Sequence, residues 1–155
     1  MWLSIRFEGE RLEMIVGYAF VVGDLLHIGH LNFFKQCKKH CDFLIVGVYT
    51  DELTATYKRT PIIPFAQRKK LIESLRIVDK VVTVTDKDCT PALRKLTEEG
   101  WKVKYLFHGD DWKVVAGEEY IKSIGGELIL IPYTKGVSTS SIIEKIKRDY
   151  RNGNS

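Results

Sequence analysis

Long uninterrupted hydrophobic segments are absent from this 155-residue sequence. The longest apolar run extends from Met14 to Leu26, is interrupted by Asp24, and lacks the basic leader and small-residue cleavage site of a secretory signal. Internal repeats and low-complexity tracts are absent too. With 45% hydrophobic and 28% charged residues, the composition is that of a globular protein. We therefore expect a cytoplasmic protein that does not bind a membrane.

Cysteine is scarce, with Cys37, Cys41 and Cys89 the three in the chain. An odd number of cysteines in a chain long enough to build its own core favours reduced thiols over a disulfide framework. Cys37, His40 and Cys41 would fall within one helical turn, but a structural zinc needs four ligands and the sequence contains no second cluster. We therefore predict no metal site made by the protein alone.

A strong imbalance of charge is also missing, because the formal net charge is only +4. A modest positive excess suits polyanionic small molecules as well as nucleic acid. No nucleic-acid reading motif or aromatic-rich basic strand accompanies this charge. We expect a small-molecule ligand and no nucleic-acid partner.

Apolar and amphipathic segments alternate along the chain. Strands are predicted at residues 14–22, 43–49, 81–84, 105–107 and 127–131, and helices at 28–39, 65–76, 90–99 and 118–124. The polar, proline-marked segment 50–63 is predicted to be a loop. The alternation predicts a single α/β, Rossmann-like domain over residues 14–155, with a five-stranded parallel sheet and helices on both faces. Residues 1–13 are predicted to be an N-terminal appendage, with an extra edge strand as one option.

A pair of histidines follows the first predicted strand, where ligands of parallel sheets bind. His27 and His30 are three residues apart and would share one face of a helix whose free amides favour phosphate. Gly29 leaves room for a phosphate beside the backbone, and Asp24 can order the turn. A surface histidine pair on a helix is the alternative for the histidines alone, but the four positions together favour a phosphate site.

Two further segments have the composition of nucleotide-binding loops. Gly109-Asp110-Asp111-Trp112 follows a predicted strand, where paired carboxylates can hold a ribose or Mg²⁺, although Asp-rich turns are common. Gly136-Val137-Ser138-Thr139 opens a predicted helix, where amides and hydroxyls can hold phosphate or simply cap the helix. Lys58 can neutralise a triphosphate or belong to a solvated basic loop.

Three of these segments resemble the cytidylyltransferase family: DLLHIGH at 24–30, CDFLIVGVYTDEL ending at Leu53, and GVSTSSI at 136–142. The resemblance spans most of the chain, and GDDW is most similar to the glycerol-3-phosphate branch of the family. It implies transfer of CMP from CTP to a small phosphorylated or phosphonylated alcohol, with Mg²⁺ bound together with CTP and pyrophosphate released. The segment RIVDKVV at 76–82 is similar to one at the family's dimer interface, which implies a homodimer.

The resemblance also implies roles for individual residues. His27, His30 and Lys58 match the family's catalytic residues. Trp112 and Tyr133 are candidates for contact with the acceptor because of their aromatic side chains and not because of the resemblance. The implied nucleotide-binding residues are Val22, Gly23, Asp24, Gly29, Gly109, Asp110, Asp111, Gly136, Val137, Ser138 and Thr139. The chain departs from the family in having Val21-Val22-Gly23 before the aspartate and Tyr133 where the family has an arginine. Tyrosine lacks the guanidinium fork of arginine, and Lys135 is the nearest replacement for its charge.

Two other functions fit the same residues. An adenylyltransferase such as an FAD synthetase shares the H-x-G-H site. A nucleotide-binding module without turnover is the second alternative, because the departures at Val22 and Tyr133 fall on phosphate-binding positions of the family.

Overall fold

The computed structural model describes residues 6–7, 10–11, 13–111 and 114–151, so the predicted acceptor residue Trp112 lies outside the described residues. The strands are β1 (Arg6–Phe7), β2 (Glu10–Arg11), β3 (Val16–Val21), β4 (Phe43–Tyr49), β5 (Lys80–Val84), β6 (Val103–Gly109) and β7 (Glu127–Ile131). The helices are α1 (Ile28–Lys38), α2 (Asp51–Ala55), α3 (Phe65–Glu73), α4 (Thr90–Glu98), α5 (Glu118–Ser123) and α6 (Thr139–Tyr150).

Five of these strands form one parallel sheet in the order β5-β4-β3-β6-β7. The chain builds outward from β3 to β5, then returns to the other side of β3 to place β6 and β7. The order therefore reverses between β3 and β6, which is where open α/β sheets bind ligands beyond the strands' carboxyl ends. The predicted five-stranded parallel α/β fold is confirmed.

Helices cover both faces of this sheet. On one face, Phe34 of α1 and Ile72 of α3 are fully buried against sheet residues such as Val46. On the other face, Leu93 of α4 and Ile121 of α5 are fully buried in a second apolar cluster. The near-continuous hydrophobic sequence of β4 follows from this burial on both faces.

The loop predicted at residues 50–63 was wrong in part, because its first residues form the short helix α2. The Thr50 hydroxyl caps this helix by accepting a hydrogen bond from the Leu53 amide at 3.2 Å. Asp51 and Glu52 lie in the first turn, where acidic side chains are favourable. A helix of five residues is too short to display a hydrophobic period, so the periodicity gave no signal.

Two of the helices are followed by a glycine with positive φ. Gly100 follows α4 at φ +93° and Gly125 follows α5 at φ +83°, the left-handed conformation that ends many helices.

The N-terminal strands do not extend the main sheet as the edge-strand option predicted, since β1 and β2 pair with each other, antiparallel, in a separate sheet. The boundary at residue 14 stays a prediction. Among the described residues, none of the helices has both the length and the apolar character needed to span a bilayer.

Candidate active site

The turn between β3 and α1 is tightly wound. Gly23 has φ +71°, and a Cβ atom there would lie 2.7 Å from the Ile72 side chain. Leu25 also adopts a positive φ, +49°, which is uncommon for a leucine and costs on the order of 1 kcal/mol. The packing of α3 against this turn thus holds the chain in the conformation that leads into His27.

The two histidines begin α1 by capping it. His27 is the N-cap residue, and its Nδ1 accepts a hydrogen bond from the Gly29 amide at 3.0 Å. His30 Nδ1 accepts from the His27 amide at 3.1 Å, which completes a reciprocal capping box. The ring centroids are 3.9 Å apart. The sequence predicted the pairing of the two rings but not their role in starting the helix.

These hydrogen bonds determine the tautomer of both rings. Because each Nδ1 accepts from a backbone amide, the proton of each neutral ring resides on Nε2. Burial lowers the pKa of His27. Burial, and to a smaller extent the charge of the neighbouring His27, lowers the pKa of His30 to about 4. The negative charge of Asp24 opposes this shift. At neutral pH the site therefore presents two uncharged imidazoles, each with one Nε2–H donor, that of His27 lying 3.4 Å from the Thr139 hydroxyl oxygen.

Gly29 is required by the histidine beside it. A Cβ atom at residue 29 would lie 2.8 Å from the Cε1 atom of His27, a distance that real side chains do not tolerate. The predicted role of Gly29 was to leave space for phosphate. The structure adds that any side chain there would displace the His27 ring.

The start of α6 meets the start of α1. Thr139 Oγ1 donates to the Asp24 carbonyl oxygen at 2.8 Å and lies 3.4 Å from His27 Nε2. Ser138 is the N-cap of α6, and its hydroxyl accepts from the Ser141 amide at 3.0 Å. Two helix N-termini, each with a partial positive charge, thus converge at the switch point.

Asp24 has a structural task in this site. It is almost fully buried, and its two carboxylate oxygens accept from the amides of Ile62 and Ile63, both at 2.9 Å. The aspartate therefore connects the histidine turn to the loop that precedes α3. This is the turn-ordering role predicted for it, extended to a second segment.

Arg68 completes the same framework and was missed by the sequence analysis. Its side chain is fully buried on α3 and donates to the carbonyl oxygens of Val22, Tyr49 and Ile63, the last two at 2.8 and 2.9 Å. It also donates to an Asp51 carboxylate oxygen at 2.7 Å. One guanidinium thus joins the carboxyl ends of β3 and β4 to the loop before α3.

A signal for Arg68 was present in the sequence. Arg68 follows Phe65 by three residues and precedes Ile72 by four, so all three side chains lie on one face of α3. A charged residue at such a position is almost never fully buried without partners. Its partners, however, are backbone carbonyls of other strands, which sequence patterns do not reveal.

A second group lies at the carboxyl end of β6. A Cβ atom on Gly109 would come within 2.7 Å of the Tyr133 ring, so only glycine lets the tyrosine pack there. Burial, followed by the charges of Asp111 and Asp110, raises the pKa of Tyr133, whose hydroxyl bonds to Asp111. The structure thus brings together three predicted site residues with the tyrosine that replaces the family's arginine. A hydrogen bond of 3.2 Å from Asn32 to Thr134 connects their loop to α1.

The predicted catalytic lysine lies on the next loop. Lys58 is exposed, and its ammonium lies 5.8 Å from the centroid of the Tyr57 ring. The loop begins where α2 ends, with the Lys58 amide bonded to the Thr54 carbonyl oxygen at 2.9 Å. The structure places Lys58 at the same edge of the sheet as the histidines, beyond β4, with its side chain directed at Tyr57.

The histidine pKa values predict how stability depends on pH. His30 ionises with a pKa of about 4 in the folded protein, compared with 6.5 for an unperturbed histidine, so the unfolded chain binds more protons between these values. The free energy of unfolding should therefore be highest above pH 6.5 and fall by up to roughly 3 kcal/mol as the pH decreases to 4. Urea unfolding at pH 7.0, 5.5 and 4.5 measures this loss.

The matched variants for that measurement are His30→Asn and His40→Asn. His30→Asn should show a shallower decrease, whereas the exposed His40 should leave the decrease unchanged. Equal pH dependence in wild type and His30→Asn would show that His30 is not the proton-linked group.

A parallel α/β sheet with two helix N-termini meeting at its switch point is the arrangement of nucleotide-binding α/β proteins. The chain belongs to the cytidylyltransferase-like family, whose model matches residues 23–145. The resemblance found in the sequence is therefore confirmed, and the chain is a nucleotidyltransferase-like enzyme.

Named relatives agree with this membership. The chain is 35% identical over 150 residues to the bifunctional protein HldE of Citrobacter koseri, and 35% identical over 131 residues to that of Geobacter metallireducens. The two matches span 94% and 82% of this chain but only 30% and 26% of the relatives' own lengths. A solved structure, the lipopolysaccharide core biosynthesis protein of Thermoplasma volcanium, is 27% identical with a TM-score of 0.63, covering 80% of this chain and 99% of that one.

Proposed function

We propose that this protein transfers CMP from CTP to a small phosphorylated or phosphonylated alcohol and releases pyrophosphate. The observation that carries the proposal is the pair of Nε2–H donors of His27 and His30 at the start of α1, beside Thr139 at the start of α6. Neutral donors and helix N-termini suit a polyanion whose charge shifts between oxygens during the reaction.

The reaction would be an in-line displacement at the α-phosphorus of CTP. An oxygen of the acceptor's phosphate or phosphonate forms the new bond to phosphorus, and the bond to the pyrophosphate oxygen breaks. The acceptor is already an anion and needs no general base. Catalysis then comes from positioning and charge stabilisation, with no covalent enzyme intermediate.

The roles of the residues follow from their positions. His27 and His30 would donate to the oxygens of the transferring phosphoryl group, and Lys58 would neutralise charge on the α-phosphate and acceptor side. Ser138 and Thr139, at the start of α6, would contact the β- and γ-phosphates. Asp24 acts indirectly, because its carboxylate oxygens are already bonded to the amides of Ile62 and Ile63.

Mg²⁺ would bind together with the triphosphate. Within the described part of the chain, groups of three or more metal-ligating side chains are absent. This fits an ion held mainly by phosphate oxygens and water, with at most one or two carboxylates such as Asp110 and Asp111. The ion would neutralise charge on the triphosphate. The homodimer implied by the sequence stays a prediction.

The test is pyrophosphate release with CTP and, separately, ATP in the presence of Mg²⁺. The acceptor panel contains glycerol 3-phosphate, phosphoethanolamine, phosphocholine, alkylphosphonates and hexose 1-phosphates. The sugar phosphates are included because the Thermoplasma relative is described as a lipopolysaccharide core biosynthesis protein. We expect CTP-dependent release with one acceptor class.

Two outcomes would contradict the proposal in different ways. Pyrophosphate release with ATP but not with CTP would make the chain an adenylyltransferase that uses the same site. CTP binding without release across the whole panel would favour a binding module without turnover.

A further inference from the structure

Aromatic rings form a row across the carboxyl edge of the sheet, on the face opposite α1. The His108 ring of β6 lies 5.2 Å from Phe20 of β3, and Phe20 stacks on Tyr49 of β4 at 5.8 Å with an 8° interplanar angle. Tyr49 in turn meets Tyr57 edge-on at 6.3 Å. The row therefore ends at Tyr57, on the loop that carries Lys58.

Two ammonium groups from different loops lie over the last ring of this row. Lys87, on the loop after β5, has its Nζ 4.2 Å from the Tyr57 centroid, and Lys58 Nζ is 5.8 Å from the same centroid. Lys58 and Lys87 thus place two positive charges beside one ring, and a local excess of positive charge attracts anions. The ring attracts each cation only weakly at an exposed position.

The loop that carries Lys87 also carries Asp86 and Asp88, each with one carboxylate oxygen bonded to the loop backbone. An Asp86 carboxylate oxygen accepts from the Asp88 amide at 2.9 Å, and an Asp88 oxygen accepts from the Thr90 amide at 2.8 Å. Hydrogen bonding to Thr90 lowers the pKa of Asp88. Asp86 and Asp88 thus shape the loop around Lys87, while the ammonium of Lys87 extends toward Tyr57.

We infer that Lys87 and Lys58 together bind the acceptor's tetrahedral phosphorus group, a dianion, against the Tyr57 ring. This inference rests on the proposed function, because the acceptor is a substrate of the proposed reaction. Lys87 is the residue that would determine specificity for the acceptor's phosphorus group. Two cations match a charge of −2, so the pair favours phosphate monoesters and phosphonates over carboxylates and sulfonates.

The experiment measures binding of methylphosphonate by isothermal titration at pH 8.5, where methylphosphonate is a dianion. Methanesulfonate, a monoanion of similar shape, serves as the second probe. We expect wild type to prefer methylphosphonate, and Lys87→Gln to weaken methylphosphonate binding about tenfold while CTP affinity stays within about twofold. Lys87→Arg should restore binding, and Lys95→Gln, an exposed lysine on α4, should leave it unchanged.

Three results would overturn the inference. These are equal methylphosphonate affinity in wild type and Lys87→Gln, no preference of the wild type for methylphosphonate over methanesulfonate, and a Lys87→Gln defect confined to CTP. The last would assign Lys87 to the triphosphate. The binding assay needs no turnover, so it distinguishes failure of this inference from failure of the proposed reaction. Lys87-dependent phosphonate binding in a protein that releases no pyrophosphate would leave the inference standing.

Discussion

Replacing His27 or His30 with alanine is expected to lower kcat by about two to three orders of magnitude while weakening CTP binding much less. Each ring presents one Nε2–H donor whose direction is fixed by the backbone bond to its Nδ1. Such a donor contributes most where charge develops in the transition state. Steady-state pyrophosphate release gives kcat, and calorimetric titration with CTP gives the binding constant.

The capping role of the histidines requires a control, because alanine at residue 27 also removes the N-cap of α1. Serine retains a capping oxygen but has no donor in the position of Nε2. His27→Ser should keep the free energy of unfolding within about 1 kcal/mol of the wild type and still lose turnover. His40→Ala, at an exposed histidine, should change neither quantity. Unchanged turnover in both His27→Ala and His30→Ala would contradict the role of the two histidines as donors to the transferring phosphoryl group.

Replacing Arg68 with methionine is expected to lower the free energy of unfolding by about 3–5 kcal/mol. The change removes the Arg68 donor from three backbone carbonyls and from one Asp51 carboxylate oxygen, and Arg68 is fully buried. Unsatisfied buried acceptors retain the cost of their lost hydration. Urea unfolding at pH 7 measures the difference.

The matched control for Arg68→Met is Arg94→Met. Arg94 is exposed on α4 and lies over the Tyr120 ring at 4.9 Å, so its loss should cost under about 1 kcal/mol. Asp51→Asn in the Arg68→Met background should then cost less than in the wild type, because the ion pair is already absent. A decrease below about 1 kcal/mol for Arg68→Met would show that the carbonyls find other donors.

The order of helices and strands was predictable from the sequence because apolar segments and helix-capping residues were consistent with each other. β4 and α1 agree with their predicted bounds to within one residue, since each has a strong pattern and clear end signals. The strand order was not predicted. The side of β3 on which β6 lies depends on crossover connections and packing between distant residues.

The site was predictable where its residues are adjacent in the chain. The histidine turn and the start of α6 could be found from spacing and composition, and the structure places Thr139 beside His27. Contacts between distant segments could not be found in this way. The buried Arg68, the lysine at residue 87 over Tyr57, and the packing of Tyr133 against Gly109 each depend on three-dimensional neighbours.

The capping box of α1 makes helix formation and catalytic geometry the same event. Since both Nδ1 atoms are bonded to amides of the first turn, neither ring can rotate while those two bonds remain closed. Fraying of one helical turn would misdirect both donors at once. Amide hydrogen exchange at Gly29 would consequently report, in the absence of any ligand, the fraction of molecules that are competent for reaction.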